Sequence, residues 1–347
     1  MRSYNPDSLK QYWAKLAEVT DFWDFTGYTG VSGDPRYFYD TMHYRNTLGE
    51  MMLGYIFDDP DVYVPADFGH YTTSGNVREH AEKVFTPPPA AGEAVSVPIL
   101  VYHHIDVNPY EPNSLIIPVA KFREDMLAIK EAGFNTIFVR DLIDYVDGKK
   151  ELPDNPLVVT FDDGYLSNYE HAFPVLKELD MKMTISIIGW SVGLNEHRLP
   201  GKQFYPHFTW EQAKEMQQSG LVDIQNHTFD MHEAGQDNPP IRVGVLPFED
   251  ESTGAYSKAF REDADKLAEQ IESKVGNVVD VFTYPMGYYT HMSEQLLKDM
   301  GYRATLSTKS GISTIVKGDP RSLFALKRIN AGPEIPSEKL VERITVK

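Results

Sequence analysis

Residues 157–165 read LVVTFDDGY, and this stretch decides the fold that we predict for the chain. Its apolar, β-branched start is typical of a buried parallel strand. The strand ends in two adjacent carboxylates, Asp162 and Asp163, followed by Gly164, which permits a tight turn. Active sites of α/β proteins lie at the carboxyl ends of their strands. We therefore expect a functional site here, where two close negative charges require either a bound cation or a proton on one of them.

The composition bounds the class of protein. The chain has 347 residues, of which 41% are hydrophobic, enough for one large domain or two smaller ones. Its formal net charge of −18 argues against nucleic acid or an anionic membrane as a partner, because both require basic patches, and it fits a neutral or cationic substrate. Cysteine is absent from the sequence, so a metal site must use histidine and carboxylate ligands. No apolar run reaches the roughly 18 residues of a membrane span.

Alternating strands and helices fill residues 97–347 and predict an α/β fold. This alternation implies parallel strands joined by helices. Because no glycine-rich phosphate loop is present, a (β/α) barrel of about seven or eight strands is favoured over a dinucleotide-binding fold. The predicted strands are 97–104, 136–139, 157–161, 182–189, 222–225, 279–284, 303–307 and 324–329, and the predicted helices are 119–132, 141–146, 167–179, 209–219, 256–275 and 293–300.

Residues 1–85 have a different character and predict a small α-rich appendage, with helices at 9–19 and 47–57. Residues 86–96, which begin TPPPAAGEA, break all periodicity and predict a proline-rich linker. We therefore expect a domain boundary there, with the main domain at 97–347.

One motif of the appendage carries chemistry. Asp40 and His43 form an Asp-x-x-His block that resembles the block near the C-terminal end of SGNH-type esterases. In such enzymes the histidine deprotonates a serine and the aspartate orients the histidine. No matching serine block precedes it in this chain, so the alternatives are a segment that only packs on the main domain and a second, incomplete esterase site.

His227 and His232 are candidate metal ligands. They bound the segment HTFDMH, which follows a predicted strand. Their spacing suits neither one helical face nor one strand face, so we expect a loop that folds both imidazoles toward one point. With Asp163 they form a two-histidine, one-carboxylate set that leaves positions on a metal open for water and substrate. The segment 282–287, FTYPMG, follows another strand and is expected to wall the site; ordinary histidines and an ordinary turn are the alternatives for each motif alone.

Together, TFDDGY, HTFDMH and FTYPMG resemble the motifs of the polysaccharide deacetylases of carbohydrate esterase family 4, the NodB-homology domain. The resemblance runs from residue 97 to the C-terminus. It implies a distorted (β/α) barrel and one divalent metal on Asp163, His227 and His232, with Zn²⁺ first and Co²⁺ or Ni²⁺ as alternatives. It also implies that Asp162 is the general base and that the backbone N–H of Tyr165 helps to hold the oxyanion.

The general acid departs from the usual family layout, which places a histidine in a leucine-rich segment near the C-terminus. The corresponding segment here, 323–332, has no histidine, although its Arg328 is a candidate for orienting a catalytic group. The earlier strand, ILVYHH, resembles the permuted arrangement of the poly-N-acetylglucosamine deacetylases, in which the acid follows a tyrosine. This match makes His103 the acid and His104 the second choice, with a structural histidine as the alternative.

Substrate contacts are expected from aromatic residues after strands or in loops, since aromatic faces stack on sugar rings, although plain packing is the more common reason for such residues. The aromatic candidates are Trp190, Tyr205, Tyr284, Tyr288 and Tyr289, and Pro285 of the turn FTYPMG is a further candidate.

The leading hypothesis is a metal-dependent hydrolase that removes acetyl groups from N-acetylglucosamine units of a cell-wall or exopolysaccharide. The alternatives are an esterase for O-acetylated polysaccharide of the xylan type and a non-catalytic glycan-binding protein on the same fold. We expect a secreted or envelope-associated protein, with a cytoplasmic location as the alternative. The first residues, MRSYNPDSLKQYW, lack the apolar core of a signal peptide, so a leader is expected to be absent from this chain.

Overall fold

The computed structural model describes residues 6–346, except for 28, 33–36, 39–42, 86–91, 108, 110–112, 114, 199, 202–203 and 235–241. The chain divides into two compact units. The N-terminal unit comprises Met1–Ala90 with Phe248–Ala259, and the main unit comprises Ala91–Pro247 with Phe260–Lys347. Most of the predicted linker, residues 86–91, falls outside the described residues, so the linker stays a prediction.

The N-terminal unit contains both helices predicted for the appendage, together with a third helix and a two-stranded antiparallel ribbon that the sequence did not indicate. Two of the helices pack through Trp13, Ala17, Val77 and Ala81. Asp40 falls outside the described residues, while His43 is exposed, so the esterase-like block stays a prediction. The elements are α1 (Pro6–Ala17), β1 (Phe22–Asp24), α2 (Asn46–Phe57), β2 (His70–Thr72) and α3 (Val77–Phe85).

A polar cluster lies in this unit around the buried Asp24, and we call Asp24, His70 and His80 the stacked triad. Asp24 Oδ2 lies 2.8 Å from His80 Nε2. The two imidazoles stack face to face, with centroids 3.7 Å apart and planes 9° apart. His70 Nδ1 lies 3.1 Å from Thr72 Oγ1. Each of these polar contacts joins neighbours within the unit, as buried polar groups require.

From Asn135 to Ser310 the remaining elements alternate strands and helices as predicted, whereas the strands Ala94–Val97, Ile116–Pro118 and Ser313–Val316 and the helix Ser337–Ile344 were not predicted. In chain order they are β3 (Ala94–Val97), β4 (Ile99–Tyr102), β5 (His104–Asp106), β6 (Ile116–Pro118), α4 (Val119–Glu131), β7 (Asn135–Ile137), α5 (Val139–Val146), β8 (Pro156–Asp163), α6 (Phe173–Leu179), β9 (Met183–Ile187), α7 (Trp210–Gln218), β10 (Val222–Asn226), α8 (Thr253–Lys274), β11 (Val281–Thr283), α9 (His291–Asp299), β12 (Ala304–Ser310), β13 (Ser313–Val316), β14 (Leu326–Asn330) and α10 (Ser337–Ile344).

Eight parallel strands form the central sheet of the main unit, in the order β4-β14-β12-β11-β10-β9-β8-β7. The first strand, β4, also pairs with β8, so the pairings run in a circuit through seven strands. The eighth strand, β7, pairs only with the first residues of β8. This barrel-like α/β arrangement confirms the predicted fold class.

Two predicted elements are wrong in detail. The strand predicted at 97–104 is interrupted, because β4 pairs with β8 whereas β5 pairs with β6, and His103 lies between them. The helix predicted at 167–179 contains a π-helical turn, Asn168–Ala172, before α6 begins. Both departures lie beside the strand that carries the two aspartates.

The core places β8 at the centre of the main unit. All eight of its residues are buried, as expected for an inner parallel strand.

The helix after β9 begins as predicted, because the side chain of Thr209 accepts from the N–H of Gln212 and the side chain of Gln212 accepts from the N–H of Thr209. Across the described part of the chain, no helix combines the length and apolar character that a membrane crossing requires.

Candidate active site

The last two residues of β8 are the two adjacent aspartates predicted for the site. Asp162 is 3% exposed and Asp163 is 6% exposed. Asp163 has a φ of 76° and Gly164 a φ of 83°, so the chain turns sharply in the left-handed region. A side chain at Gly164 would place its Cβ 2.9 Å from Ile187 Cγ2, which explains the glycine. Adjacent strand residues point to opposite faces, and the turn at Asp163 allows the second carboxylate to depart from that alternation.

The three predicted metal ligands lie close together, and we call Asp163, His227 and His232 the converging triad. Asp163 Oδ1 lies 3.4 Å from His227 Nε2 and 3.2 Å from His232 Nε2. The two Nε2 atoms lie 3.1 Å apart. Thr228, with a φ of 76°, turns the chain directly after β10. The predicted loop therefore brings both imidazoles to one carboxylate.

The converging triad fits a divalent metal. Ligand atoms about 2.0–2.1 Å from a tetrahedral ion are separated by roughly 3.3 Å, close to the spacings found here. Asp163 Oδ1 is buried and accepts no hydrogen bond from the described residues. His227 donates Nδ1–H to the carbonyl oxygen of Thr283 at 2.7 Å, which leaves the Nε2 lone pair for a metal.

Charge within the converging triad is mutually stabilising. Burial alone would raise the pKa of Asp163, but the neighbouring His232 and His227 hold that pKa well below its usual value. Burial works to lower the pKa of His232, and the negative charge of Asp163 outweighs it and raises that pKa. The carboxylate is therefore ionised at neutral pH, as a metal ligand must be.

The loop that carries both histidines is held by a residue that sequence analysis missed. Asp263, on α8, accepts the backbone N–H of Phe229 at 2.8 Å and of Asp230 at 2.7 Å. Burial raises the pKa of Asp263 to about 6. In the sequence Asp263 looks like any acid on an amphipathic helix, so only the tertiary contact identifies it.

Asp162 forms a buried ion pair with Arg328 of β14. The guanidinium donates to Oδ1 at 2.7 Å and to Oδ2 at 2.8 Å, while its Nε–H donates to the carbonyl of Ser307 at 2.8 Å. Burial would raise the pKa of Asp162, and the charge of Arg328 lowers it overall. A bidentate pair of this kind fixes the orientation of the carboxylate. The structure thus places Arg328 where it orients Asp162.

Of the two candidate acids, His103 faces Asp162. Its Nε2 lies 3.8 Å from Asp162 Oδ2, and 18% of its side chain is exposed. Burial lowers the pKa of His103, while both aspartates act in the opposite direction. His104 instead stacks on Tyr205, with centroids 4.3 Å apart, and its Nδ1 lies 2.9 Å from Ser167 Oγ.

Tyr165 follows the glycine turn and forms an antiparallel bridge with His207. This bridge uses the neighbouring groups, Leu166 N–H and Gly164 C=O, and leaves the N–H of Tyr165 without a partner among the described residues. The imidazole of His207 is 5% exposed and packs against the ring of Tyr165, with centroids 5.0 Å apart. Sequence analysis did not single out His207.

The predicted substrate-binding residues differ in exposure. Tyr288 is 50% exposed, whereas Tyr284 is fully buried and stacks beneath Tyr289 with centroids 4.6 Å apart. Pro285 is also buried. Trp190 is half-buried and carries the guanidinium of Arg198 4.5 Å above its ring. Which of these residues contact a substrate stays a prediction.

Comparison with known proteins identifies the family. The profile of the polysaccharide deacetylase family matches residues 149–305. The Bacillus subtilis protein YxkH, whose name assigns it to the polysaccharide deacetylases, is 30% identical over 237 residues, which are 68% of this chain and 72% of that protein. The Escherichia coli poly-beta-1,6-N-acetyl-D-glucosamine N-deacetylase is 26% identical over 242 residues, which are 65% of this chain. The match spans only 36% of that longer protein.

Solved structures agree with the fold. IcaB from Ammonifex degensii superposes with a TM-score of 0.58 at 25% identity, covering 73% of this chain and 100% of IcaB. A de-N-acetylase from Aggregatibacter actinomycetemcomitans superposes with a TM-score of 0.61 at 23% identity, covering 72% and 99% of the two chains. These matches confirm the resemblance that the motifs indicated, and the chain belongs to the polysaccharide deacetylase family.

Proposed function

We propose that the protein removes N-acetyl groups from β-1,6-linked N-acetylglucosamine units of a polysaccharide and releases acetate. The observation that carries this proposal is the converging triad placed directly beside a second, ion-paired aspartate and a histidine. The name of the Escherichia coli relative supports the choice of polymer.

The metal in this proposal is Zn²⁺, held by Asp163, His227 and His232. Nitrogen ligands in a set of three protein side chains are typical of catalytic zinc. A bound divalent ion lowers the pKa of water toward about 7 and polarises the acetyl carbonyl. The remaining steps belong to side chains and backbone of this chain.

Asp162 acts as the general base in this proposal. Its carboxylate is ionised and held by Arg328, so it collects the proton of the attacking water. The N–H of Tyr165 contributes to binding the oxygen on which negative charge develops.

His103 supplies the proton that the leaving nitrogen needs, because an amine anion is too poor a leaving group. The 3.8 Å separation from Asp162 supports a role at the same reaction centre. The amide C–N bond breaks as the nitrogen takes the proton, and the products are acetate and the glucosamine amine.

Acetate release tests the proposal. We expect the purified chain, loaded with Zn²⁺, Co²⁺ or Ni²⁺ in parallel, to release acetate from β-1,6-linked N-acetylglucosamine oligomers faster than from acetylated xylo-oligomers. Release from the xylo-oligomers alone would contradict the proposal and favour O-deacetylation. If Asp162→Asn turned over as fast as the wild type, the assignment of the base would fail; binding of the oligomer without any turnover in the wild type would favour a glycan-binding protein.

The proposed substrate also supports a location outside the cytoplasm, secreted or in the cell envelope, since an exopolysaccharide accumulates there. Fractionation of producing cells with an antibody against the chain checks this. Recovery in the cytoplasmic fraction alone would contradict it.

A further inference from the structure

The helix that follows the two aspartates opens with a π-helical turn, Asn168–Ala172. The N–H of Phe173 bonds to the carbonyl of Asn168, five residues earlier, instead of the four of an α-helix. Pro174 follows in the first turn of α6. Since proline has no N–H and its ring crowds the carbonyl four residues earlier, a wider turn relieves the conflict. Such turns are frequent at functional sites.

Two side chains at the start of this turn hold the backbone of residues 103–105. Asn168, which is fully buried, donates Nδ2–H to the carbonyl oxygen of His103 at 2.7 Å. Ser167 Oγ accepts the N–H of Ile105 at 3.1 Å and lies 2.9 Å from Nδ1 of His104. One hydroxyl makes both contacts, because it accepts and donates at once. The segment is thereby attached to the helix that begins directly after the aspartates.

The imidazole of His103 depends on this attachment. Its Nε2 lies 3.8 Å from Asp162, while its Nδ1 is buried and has no hydrogen-bond partner among the residues that the structure describes. No close hydrogen bond therefore orients the ring, and the backbone decides where it lies. On one side the backbone is fixed because Tyr102 pairs with Phe161 in the sheet. On the other side it is fixed by Asn168.

We propose that Asn168 and Ser167 are positioning residues that place His103 against the leaving nitrogen. The inference rests on the proposed function, in which His103 protonates that nitrogen. A general acid contributes about 10²–10⁴-fold to a rate, and a 1 Å displacement costs about 10²-fold. We call the contacts of Asn168 and Ser167 with residues 103–105 the clamp. Loss of the clamp therefore slows the step that depends on the acid and leaves the other steps in place.

The variant Asn168→Asp tests the proposal with two substrates. It keeps the shape of the side chain but turns the donor that faces the carbonyl of His103 into an acceptor. One substrate is an N-acetylglucosamine oligomer, whose amine requires a proton; the other is an aryl acetate, whose phenolate departs without one. We expect kcat on the oligomer to fall about 10- to 100-fold at unchanged KM, and kcat on the aryl ester to stay within about threefold. An equal loss on both substrates would overturn the proposal.

The matched control is Asn135→Asp. Asn135 makes the same kind of bond, Nδ2–H to the carbonyl oxygen of Asp154 at 2.7 Å, at the start of β7. Both rates are expected to remain at the wild-type level in this variant. A selective loss of oligomer hydrolysis in Asn135→Asp would overturn the assignment to Asn168, because any lost amide bond would then have the same effect.

A double-mutant cycle shows whether the clamp acts through His103. In the His103→Gln background, Asn168→Asp is expected to cause no further loss on the oligomer, since the group that it positions is gone. A second loss of full size would overturn the proposal. Should Asn168→Asp not fold, Ser167→Ala carries the same test, and Ser167→Thr, which keeps the hydroxyl, is expected to restore the rate.

Failure of the two proposals is distinguishable. A wild-type chain that hydrolyses the aryl ester but releases no acetate from the oligomer contradicts the proposed function, and the positioning role falls with it. A wild-type chain active on both substrates, with a variant impaired equally on both, contradicts the positioning role alone.

Discussion

The same three side chains, one aspartate and two histidines, lie together in both units, with different geometry and with each aspartate buried. In the converging triad the ligand atoms of Asp163, His227 and His232 approach within 3.1–3.4 Å of one another. In the stacked triad of the N-terminal unit the two imidazoles lie face to face, and the aspartate and Thr72 each hold one of them. Among the described residues, only the converging triad has the geometry of a metal site.

The difference shows that side-chain direction, and not residue type, makes a metal site. Because the two stacked imidazole rings are nearly parallel, their nitrogen lone pairs lie in separate parallel planes. They cannot both be directed at one metal ion. The carboxylate of Asp24 is also satisfied: its Oδ1 accepts the N–H and the hydroxyl of Thr26 at 3.0 and 2.8 Å, and its Oδ2 lies 2.8 Å from His80 Nε2. In the converging triad, Asp163 Oδ1 accepts no hydrogen bond from the residues that the structure describes. A bound cation stabilises a buried carboxylate oxygen that has no hydrogen-bond donor.

The largest expected effect is the loss of bound metal when a histidine of the converging triad is removed. We expect His227→Ala to lose its metal and about 10³-fold in turnover, since a metal supplies several kcal/mol and each 1.36 kcal/mol is a factor of ten. Inductively coupled plasma mass spectrometry after dialysis and an acetate assay measure both. Full metal content in His227→Ala would break the comparison.

The next effect separates the two adjacent aspartates. Asp162→Asn is expected to keep its metal and lose about 10²–10⁴-fold in turnover, because Asp162 handles a proton and does not bind the ion. Metal analysis and kinetics on one preparation check this. Loss of the metal together with the activity would place Asp162 in the ligand set instead.

A smaller effect is expected from replacing Asp263, which holds the loop that carries His227 and His232. Asp263→Ala leaves the N–H groups of Phe229 and Asp230 without their acceptor, and we expect metal affinity to fall about 10- to 100-fold, as for other residues behind metal ligands. Competition with a chelating dye measures the affinity. The control is Asp265→Ala on the same helix, where the carboxylate interacts with Arg261. Equal affinities for wild type and Asp263→Ala would refute this role.

The same residue predicts a pH dependence. Burial raises the pKa of Asp263 to about 6, above the value of about 3.9 in an unfolded chain. The folded state therefore binds the proton more tightly, so this contribution to stability is complete below about pH 4 and is lost as the pH rises through 6. Asp263→Asn cannot ionise. Relative to this variant, the wild type is expected to lose about 1 kcal/mol of unfolding free energy between about pH 5 and pH 7.

Urea unfolding with the metal chelated measures that difference, so that ligand binding does not contribute. Parallel pH profiles for the two proteins would show that Asp263 does not titrate in this range.

The smallest effect concerns the stacked triad. His80→Ala removes one partner of the buried Asp24, and we expect about 1–2 kcal/mol less unfolding free energy, with unchanged metal content and turnover. Urea unfolding and the assays above check this. The control is His43→Ala, an exposed histidine of the same unit. Loss of esterase activity in His43→Ala would instead support a second active site there.

Much of the converging triad could be predicted because the features that indicate it are short segments of neighbouring residues. An apolar strand, two aspartates and a glycine stand next to one another, and His227 and His232 follow a strand end at a spacing that only a loop can use. The parallel sheet then brings both strand ends to the same edge, which is a general property of the fold.

The rest depends on contacts that spacing does not encode. Arg328 was a candidate for orienting a catalytic group, but its partner, Asp162, is 166 residues away and could not be named. Asp263 contacts the loop that carries His227 and His232 from the middle of a helix. Asn168 acts from a π-helical turn, where α-helical periodicity predicts the wrong neighbours. The stacked triad joins β1, β2 and α3, none of which was predicted. Such pairs become visible only once packing has fixed the backbone.

Anomalous diffraction at the zinc edge tests the central claim most directly. A crystal grown with Zn²⁺ is expected to show one peak about 2.0–2.2 Å from a carboxylate oxygen of Asp163 and from Nε2 of His227 and His232, and none at the stacked triad. His227 and His232 turned away from Asp163 with no peak between them, or a peak at the stacked triad instead, would contradict the account.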